Sequence, residues 1–419
     1  MKIQTKSLPY ERVMAMKRPA HTNPIRPHMF FRALIRTLSI PAMCKTHFRF
    51  TEERMEAAKN KPCLILMNHS SFTDLKIAYK IFFPRPMCVV STTDSYVGKS
   101  LLMKLIGCIP TQKFVSDMQL IRDMNYALNT VKSSVLMFPE AGYSLDGRAT
   151  VLPKHLGAVI KRLKVPVVTV TTWGAFARDP LYNGLQLRKV RVNAEVKCIL
   201  TPEEIAEKSV AELDEMIDQA FTFDQFAWQR DNGVVVDETF RADGLHRVLY
   251  RCPDCGAMGE MEGKGIHLTC RKCGKQHELT ENGQLRAVNG ETRFAHIPDW
   301  FDWQREQVAK EVAEGRYRLD AEVDIAMLVD HKALYKVGQG RLQHDENGFV
   351  LTGCDGKLHY EQPATASYCL NVDYFWYEIG DMISIGNKDA LYYCFPKGNV
   401  NVTHARLAAE EIYKKLKGR

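Results

Sequence analysis

Residues 64–74 read Leu64-Ile65-Leu66-Met67-Asn68-His69-Ser70-Ser71-Phe72-Thr73-Asp74. The first four residues are all apolar, as expected of a strand buried on both faces of a parallel sheet. The polar run after them predicts a turn leading into a helix. A strand, a loop and a helix in that order make the repeating unit of an α/β fold, and open sheets carry their ligands at the carboxyl ends of such strands. His69 stands at that edge, and the helix start can bring Asp74 back to the other nitrogen of its ring. A pair so placed is an oriented general base. The carboxylate selects the tautomer and stabilises the imidazolium, while the free nitrogen takes a proton from a hydroxyl. Taken alone, the spacing is also that of a helix capped by Ser70 or Ser71 beside a satisfied histidine.

Further along, Met87–Ser91, Val135–Phe138 and Val165–Thr171 predict more buried strands, separated by stretches of helical periodicity. Phe138-Pro139-Glu140-Ala141-Gly142-Tyr143-Ser144 directly follows one of them, and Val165-Pro166-Val167-Val168-Thr169-Val170 lies beyond it. Residues 187–200 alternate basic and apolar side chains like a half-exposed strand, and residues 202–219 are acidic with a helical pattern. This first unit is expected to end near residue 225.

The blocks at 68–74, 138–144 and 165–170, in this order, resemble the glycerolipid acyltransferase family that includes 1-acylglycerol-3-phosphate acyltransferases. The resemblance covers roughly residues 25–220 and implies a mixed sheet flanked by helices. It makes His69 the catalytic base and Asp74 its orienter, with Phe138, Pro139 and Glu140 as the acceptor-site turn and Pro166 opening the last block. Substrate-binding roles fall by the same resemblance on Lys113, Ala141, Gly142 and Lys154, with Lys154 and Gly157 matching a later family segment, and Arg148 is a further candidate as a basic residue close by in sequence. Departures cluster where the family holds a phosphate. Lys113 stands where Arg is usual, and Ala141, Gly142 and Tyr143 replace Gly, Thr and Arg, so a planar bidentate grip is lost and Lys113 is left as a point charge. The implied reaction moves a fatty acyl group from acyl-CoA or acyl-carrier protein to a lysophospholipid hydroxyl, with 1-acylglycerol-3-phosphate as first acceptor and other headgroups open.

At 419 residues, the chain is too long for one compact core, and its 45% hydrophobic and 25% charged composition is that of an ordinary globular protein. No run approaches the ~20 apolar residues of a membrane span, and the start has no secretory-signal pattern. The net charge of +8 is local: residues 1–50 hold ten Lys or Arg and one acidic residue, Glu11, leaving the remainder near neutral. Between Pro27 and Pro41, Phe31, Leu34, Ile35 and Leu38 recur at helical spacing with Arg32 and Arg36 one turn apart. Residues 1–50 are therefore expected to be a basic amphipathic segment on anionic lipid, peripheral on the inner face of the cytoplasmic membrane, with its arginines at the headgroups. A surface helix capping a core is the plainer alternative.

Of the twelve cysteines, those at 44, 63, 88, 108 and 198 are scattered and suit reduced core residues. Cys252-Pro-Asp-Cys255-Gly and Cys270-Arg-Lys-Cys273-Gly are different: two CxxC knuckles with β-like sequence between them predict a zinc ribbon. Four thiolates close a tetrahedral shell, so the zinc is structural. The expected layout is the acyltransferase domain at 51–225, a linker at 226–245, the ribbon at 246–290, a connecting helix at 291–318 and a β-rich domain with a C-terminal helix at 319–419. That last unit resembles a pleckstrin-homology or GRAM-type module, and a ribbon and tail of this kind in some bacterial family members points to a bacterial source. In Pro298-Asp299-Trp300-Phe301-Asp302-Trp303 the tryptophans either sit at headgroup level or pin the ribbon to a neighbour. A nucleic-acid-binding ribbon on a non-catalytic scaffold is the rival reading, and an inactive lipid-binding scaffold a third. Nucleic acid is not expected as partner, because Arg251, Lys264, Arg271, Lys272 and Lys275 are offset by Asp254, Glu260, Glu262 and Glu278.

Overall fold

The computed structural model describes residues 2–115 and 117–418. Its strands are, in chain order, β1 (Thr5–Ser7), β2 (Arg49–Glu53), β3 (Leu64–Met67), β4 (Met87–Thr92), β5 (Cys108–Thr111), β6 (Ser134–Met137), β7 (Val167–Trp173) and β8 (Asn193–Leu200). The seven strands after β1 form one mixed sheet in the order β2-β8-β7-β3-β6-β4-β5. β3 lies in its interior, parallel to both β6 and β7, while β7 and β8 run antiparallel.

Because side chains alternate along a strand, β3 feeds two cores. Ile65 and Met67 pack on one face with Ile77, Ala78 and Tyr79 of the helix Asp74–Phe82. Leu64 and Leu66 pack on the other with Met124, Ile160 and Leu213, from the helices Met118–Asn129, Leu156–Leu163 and Val210–Ala220. The connections leaving β3 and β6 thus cover opposite faces, which opens a crevice at the carboxyl ends of these neighbouring strands.

The second half begins with a four-stranded antiparallel ribbon, β9 (Met261–Lys264), β10 (His267–Cys270), β11 (Gln276–Leu279) and β12 (Leu285–Ala287). After the helix Ile297–Ala313 come β13 (Leu319–Leu328), β14 (Leu334–Asp345), β15 (Gly348–Gly353), β16 (Leu358–Pro363), β17 (Asn371–Trp376), β18 (Gly380–Gly386) and β19 (Leu391–Pro396). They form an antiparallel sheet ordered β16-β15-β14-β13-β19-β18-β17, and the helix Val402–Leu416 packs beside it.

Several expected boundaries change. β1 adds to this distant sheet, parallel to β14 (Thr5 opposite Leu334), and Val13 is buried in the same core, so the first residues are built into the C-terminal half. The amphipathic helix runs from Met29 to Lys45, straight through Pro41. Phe31 and Ile35 are partly buried, and Arg32 is buried with its guanidinium donating to the Pro84 carbonyl, which removes it from the headgroup position expected for it. Residues 226–245 are no slack linker: Phe226, Val236, Ala242 and Leu245 are buried. One core joins Leu145 of the first unit and Phe226 of the segment after it to Leu268 and Leu279 of the ribbon, Trp300 and Val308 of the connecting helix, and Leu407 and Ile412 of the C-terminal helix. Trp300 is wholly buried there, its indole N–H donating to the Arg251 carbonyl at 2.9 Å, so it pins the ribbon and does not meet lipid.

Candidate active site

His69 leaves the end of β3 with its backbone N–H donating to Glu140 Oε1 at 3.0 Å, and its carbonyl accepting from Ser144 N at 3.0 Å. The loops after β3 and β6 are thereby laced together. Asn68 ties the same loop to the end of β7, its Oδ1 accepting from Thr172 N at 2.8 Å. Hydrogen bonds on both sides of the loop lock the position of the catalytic candidate it carries.

Asp74 is fully buried at the first position of its helix, and its Oδ2 lies 2.9 Å from His69 Nδ1. The same oxygen accepts from the N–H groups of Ser70, at 2.9 Å, and Ser71, at 3.0 Å. A carboxylate with three donors can only accept, so Nδ1 carries the ring proton and Nε2 keeps its lone pair. Nε2 has no hydrogen-bonding partner among the described residues, and the His69 side chain is 20% exposed. Two rings bracket the imidazole: Phe138 with its centroid at 4.3 Å and Tyr143 at 4.0 Å, both tilted by 26°. They fix its plane and dry its surroundings.

Other groups in the crevice take positions that reading the sequence did not give. Glu140 is wholly buried, and its second oxygen accepts from Thr150 N at 2.9 Å. Burial drives its pKa up to about 7 against the two backbone donors. Asp179, just beyond β7, accepts from the Ser71 hydroxyl, and burial raises its pKa to about 7 as well. Nothing in its sequence context marks it. The N–H groups near the helix start are already spent on Asp74, on Asp179 and on Ser71 Oγ, so an oxyanion must find donors elsewhere. Gly142 N and Tyr143 N make no hydrogen bond among the described residues.

The structure separates the residues expected to grip a phosphate. Pro139 and Ala141 shape the turn, Ala141 with a left-handed φ of 54°. Arg148 is saturated, its terminal nitrogens 2.6 and 2.7 Å from the Asp302 carboxylate and one of them 2.8 Å from Asp146, so it clamps the connecting helix onto the acyltransferase side. Lys113 lines a small polar pocket with Asp94 and Asn371 and lies near buried Asp373, facing the C-terminal sheet. Lys154 is exposed ahead of the helix Leu156–Leu163.

A family model described as Acyltransferase matches residues 47–173, which contain β3, β6, His69, Asp74 and Glu140. This segment belongs to the acyltransferase family. The acyltransferase-family domain is also similar to a chloroplastic 1-acyl-sn-glycerol-3-phosphate acyltransferase, BAT2, of Brassica napus, 26% identical over 151 residues. That alignment spans 35% of this chain and 42% of the plant protein, less than half of either. Among solved structures, the 1-acyl-sn-glycerophosphate acyltransferase PlsC of Thermotoga maritima resembles 46% of this chain and 77% of its own, with a TM-score of 0.38 and 16% identity.

Away from the acyltransferase-family domain, the Sγ atoms of Cys252, Cys255, Cys270 and Cys273 all lie within 4.8 Å of one another. Cys252 and Cys273 are 3.7 Å apart, as are Cys255 and Cys270, against an edge of about 3.8 Å for a tetrahedron with ~2.3 Å zinc–sulfur bonds. Gly256 and Gly274 take left-handed φ values of 72° and 74°, letting each knuckle turn its amide back onto the carbonyl of Cys252 or Cys270. The site fits a four-thiolate metal ion.

Proposed function

We propose that the protein is an O-acyltransferase that moves a fatty acyl group from acyl-CoA or acyl-carrier protein to the free hydroxyl of a lysophospholipid, with 1-acylglycerol-3-phosphate as the first acceptor to test. The reading is carried by one observation, the 2.9 Å contact of His69 Nδ1 with Asp74 beside an Nε2 that has no hydrogen-bond partner among the described residues. In the proposed reaction, Nε2 removes the acceptor's hydroxyl proton as the oxygen attacks the thioester carbonyl. The carbon–sulfur bond then breaks, and the imidazolium returns its proton to the departing thiolate. Asp74 stabilises the imidazolium throughout, and the free N–H groups of Gly142 and Tyr143 are the donors left for the oxyanion. Tyr143 and Phe138 keep bulk water from competing with the alcohol.

Phe30, Leu34 and Leu38 follow one another on the outer face of the helix Met29–Lys45 and are 62%, 41% and 64% exposed. We assign this stripe to the membrane interface, on the inner face of the cytoplasmic membrane, with anionic lipid drawn by Arg36 and Lys45. Among the described residues, no helix is long and apolar enough to cross a membrane. The four-cysteine site is assigned structural zinc. Seven antiparallel strands with one closing helix support a pleckstrin-homology or GRAM-like reading of residues 319–419 as a lipid-facing or positioning module.

Incubating full-length protein with labelled acyl-CoA and a lysolipid panel tests the proposal. His69→Ala should lose ~10²–10⁴ of the rate with its metal content unchanged. Near-normal turnover in that variant, or no transfer to any acceptor by the wild type, defeats it.

A further inference from the structure

A cavity of about 390 Å³ opens where the Leu145–Val151 loop and Phe221–Phe223 meet the connecting helix and the C-terminal helix. Its volume lies within the ~300–1,000 Å³ range of small-molecule sites. The two walls differ in chemistry. Phe221, Phe223, Phe301 and Leu407 supply apolar surface, and the charged lining sets Asp146, Asp302 and Glu410 beside Arg148, Arg305, Arg406 and Lys414.

Arg406 is the unusual member. It is 4% exposed on the helix Val402–Leu416, and its Nε is 3.1 Å from Glu410 Oε1. Glu410 is heavily shared: Oε1 also accepts from Cys369 Sγ at 3.0 Å, and Oε2 from Arg305 at 2.7 Å. Neither terminal nitrogen of Arg406 has a hydrogen-bond partner among the described residues, and neither is sealed from solvent as orphaned buried atoms elsewhere are. Charge is thus balanced by Glu410, while the two terminal nitrogens of this cavity-lining residue make no hydrogen bond among the described residues. Terminal nitrogens that no protein group takes up are open to a ligand, and the geometry that engages both at once is a bidentate oxyanion.

Glu140 lies between the cavity wall and the proposed reaction centre. Arg406 is close enough to Glu140 to pull its pKa down against burial, and Glu140 spans from Thr150, on the cavity wall, to the backbone of His69. Arg148, also on the wall, is fully paired and does not compete for an anion.

We infer that this cavity binds the phosphate of an amphipathic ligand, with Arg406 gripping the phosphate and the apolar wall receiving the chain attached to it. The inference rests on the proposed acyl transfer only for its two candidate sources, the phosphates of a coenzyme A type donor and the phosphate of a lysophosphatidate type acceptor.

Titration calorimetry on the full-length protein separates the sources. The probes are coenzyme A, 1-acylglycerol-3-phosphate below its micelle concentration, and 1-monoacylglycerol as the phosphate-free control. One phosphate-bearing probe should bind wild type and His69→Ala equally well. It should weaken at least about tenfold in Arg406→Gln and recover in part in Arg406→Lys, which returns the charge without the fork. Monoacylglycerol binding should not respond to Arg406→Gln. Since loss of Arg406 also disturbs Glu410, Val151→Trp provides a second test: it blocks the exposed rim of the cavity, leaves that pair intact, and should weaken the same probe. The inference is overturned if neither phosphate probe binds, if binding survives in a folded Arg406→Gln variant, or if it is unaffected by Val151→Trp. A wild type that binds a phosphate probe but transfers no acyl group upholds this site and rejects the proposed reaction.

Discussion

Asp74 holds His69 Nδ1 at 2.9 Å with the oxygen that also takes the Ser70 and Ser71 N–H groups, so ring orientation and the first turn of the helix are a single construction. Asp74→Asn should therefore cut turnover by ~10²–10⁴ through a wrong tautomer and a loosened ring. Steady-state kinetics should show the loss in kcat, with KM for the acceptor little changed. A variant that retains most of its kcat removes Asp74 from the mechanism.

Asp179 predicts a dependence of stability on pH. Burial raises its pKa from 3.8 to about 7, against the Ser71 hydroxyl, the Phe72 N–H and Arg178. Between these values the folded protein keeps a proton that the unfolded chain has released, so stability falls as pH rises across that window and the full penalty applies above it. Glu140, raised to about 7, acts in the same sense. Asp179→Asn should remove its share of the slope, on the order of 2 kcal/mol. Melting curves at pH 5 and pH 8 should show the variant gaining on wild type as pH rises, and parallel curves refute the assignment.

The cysteine cluster predicts coupling between metal and fold. Leu268, Leu279 and Leu285 of the ribbon share a core with Trp300 and Ile412, so metal loss should loosen the whole C-terminal half. Chelation or Cys255→Ser should drop bound zinc from one per chain to none and lower the melting temperature, given the ~10–16 kcal/mol that structural zinc contributes in small domains. Elemental analysis beside calorimetry checks it. Full stability without metal would mean that the thiols hold nothing.

For the helix Met29–Lys45, replacing Phe30, Leu34 and Leu38 together by Ser removes exposed apolar surface from the proposed interface. Flotation with anionic vesicles should fall at least several-fold while the melting temperature holds. Arg32→Ala should do the opposite, destabilising the fold through its buried contact with Pro84 while sparing lipid binding. Equal flotation of the triple variant and wild type would place the membrane contact elsewhere.

How far the sequence could be read depended on how locally each element is stabilised. β3, β4, β6 and β7 are apolar runs buried on both faces, and they lie within a few residues of where periodicity predicts them. β1 and β2 escaped because their side chains are mostly exposed and each exists only through pairing with a distant strand, and β5 because it contains Pro110. The helix through Pro41 ran on past its expected stop, since packing against the helix Asp74–Phe82 overrides a local breaker.

By itself the sequence determined what short-range geometry controls: a histidine at a strand's end with a carboxylate five residues on, at the start of the next helix, and two knuckles whose four sulfurs converge. The tertiary structure alone decided the partners of the long cationic side chains. Arg148 is taken up by Asp302, 154 residues away, Lys113 faces the C-terminal sheet, and Arg406 comes to lie near Glu140 with its Nε on Glu410 and its terminal nitrogens unpartnered among the described residues. A flexible charged side chain reaches whichever opposite charge the fold brings near, and local sequence carries no record of that encounter.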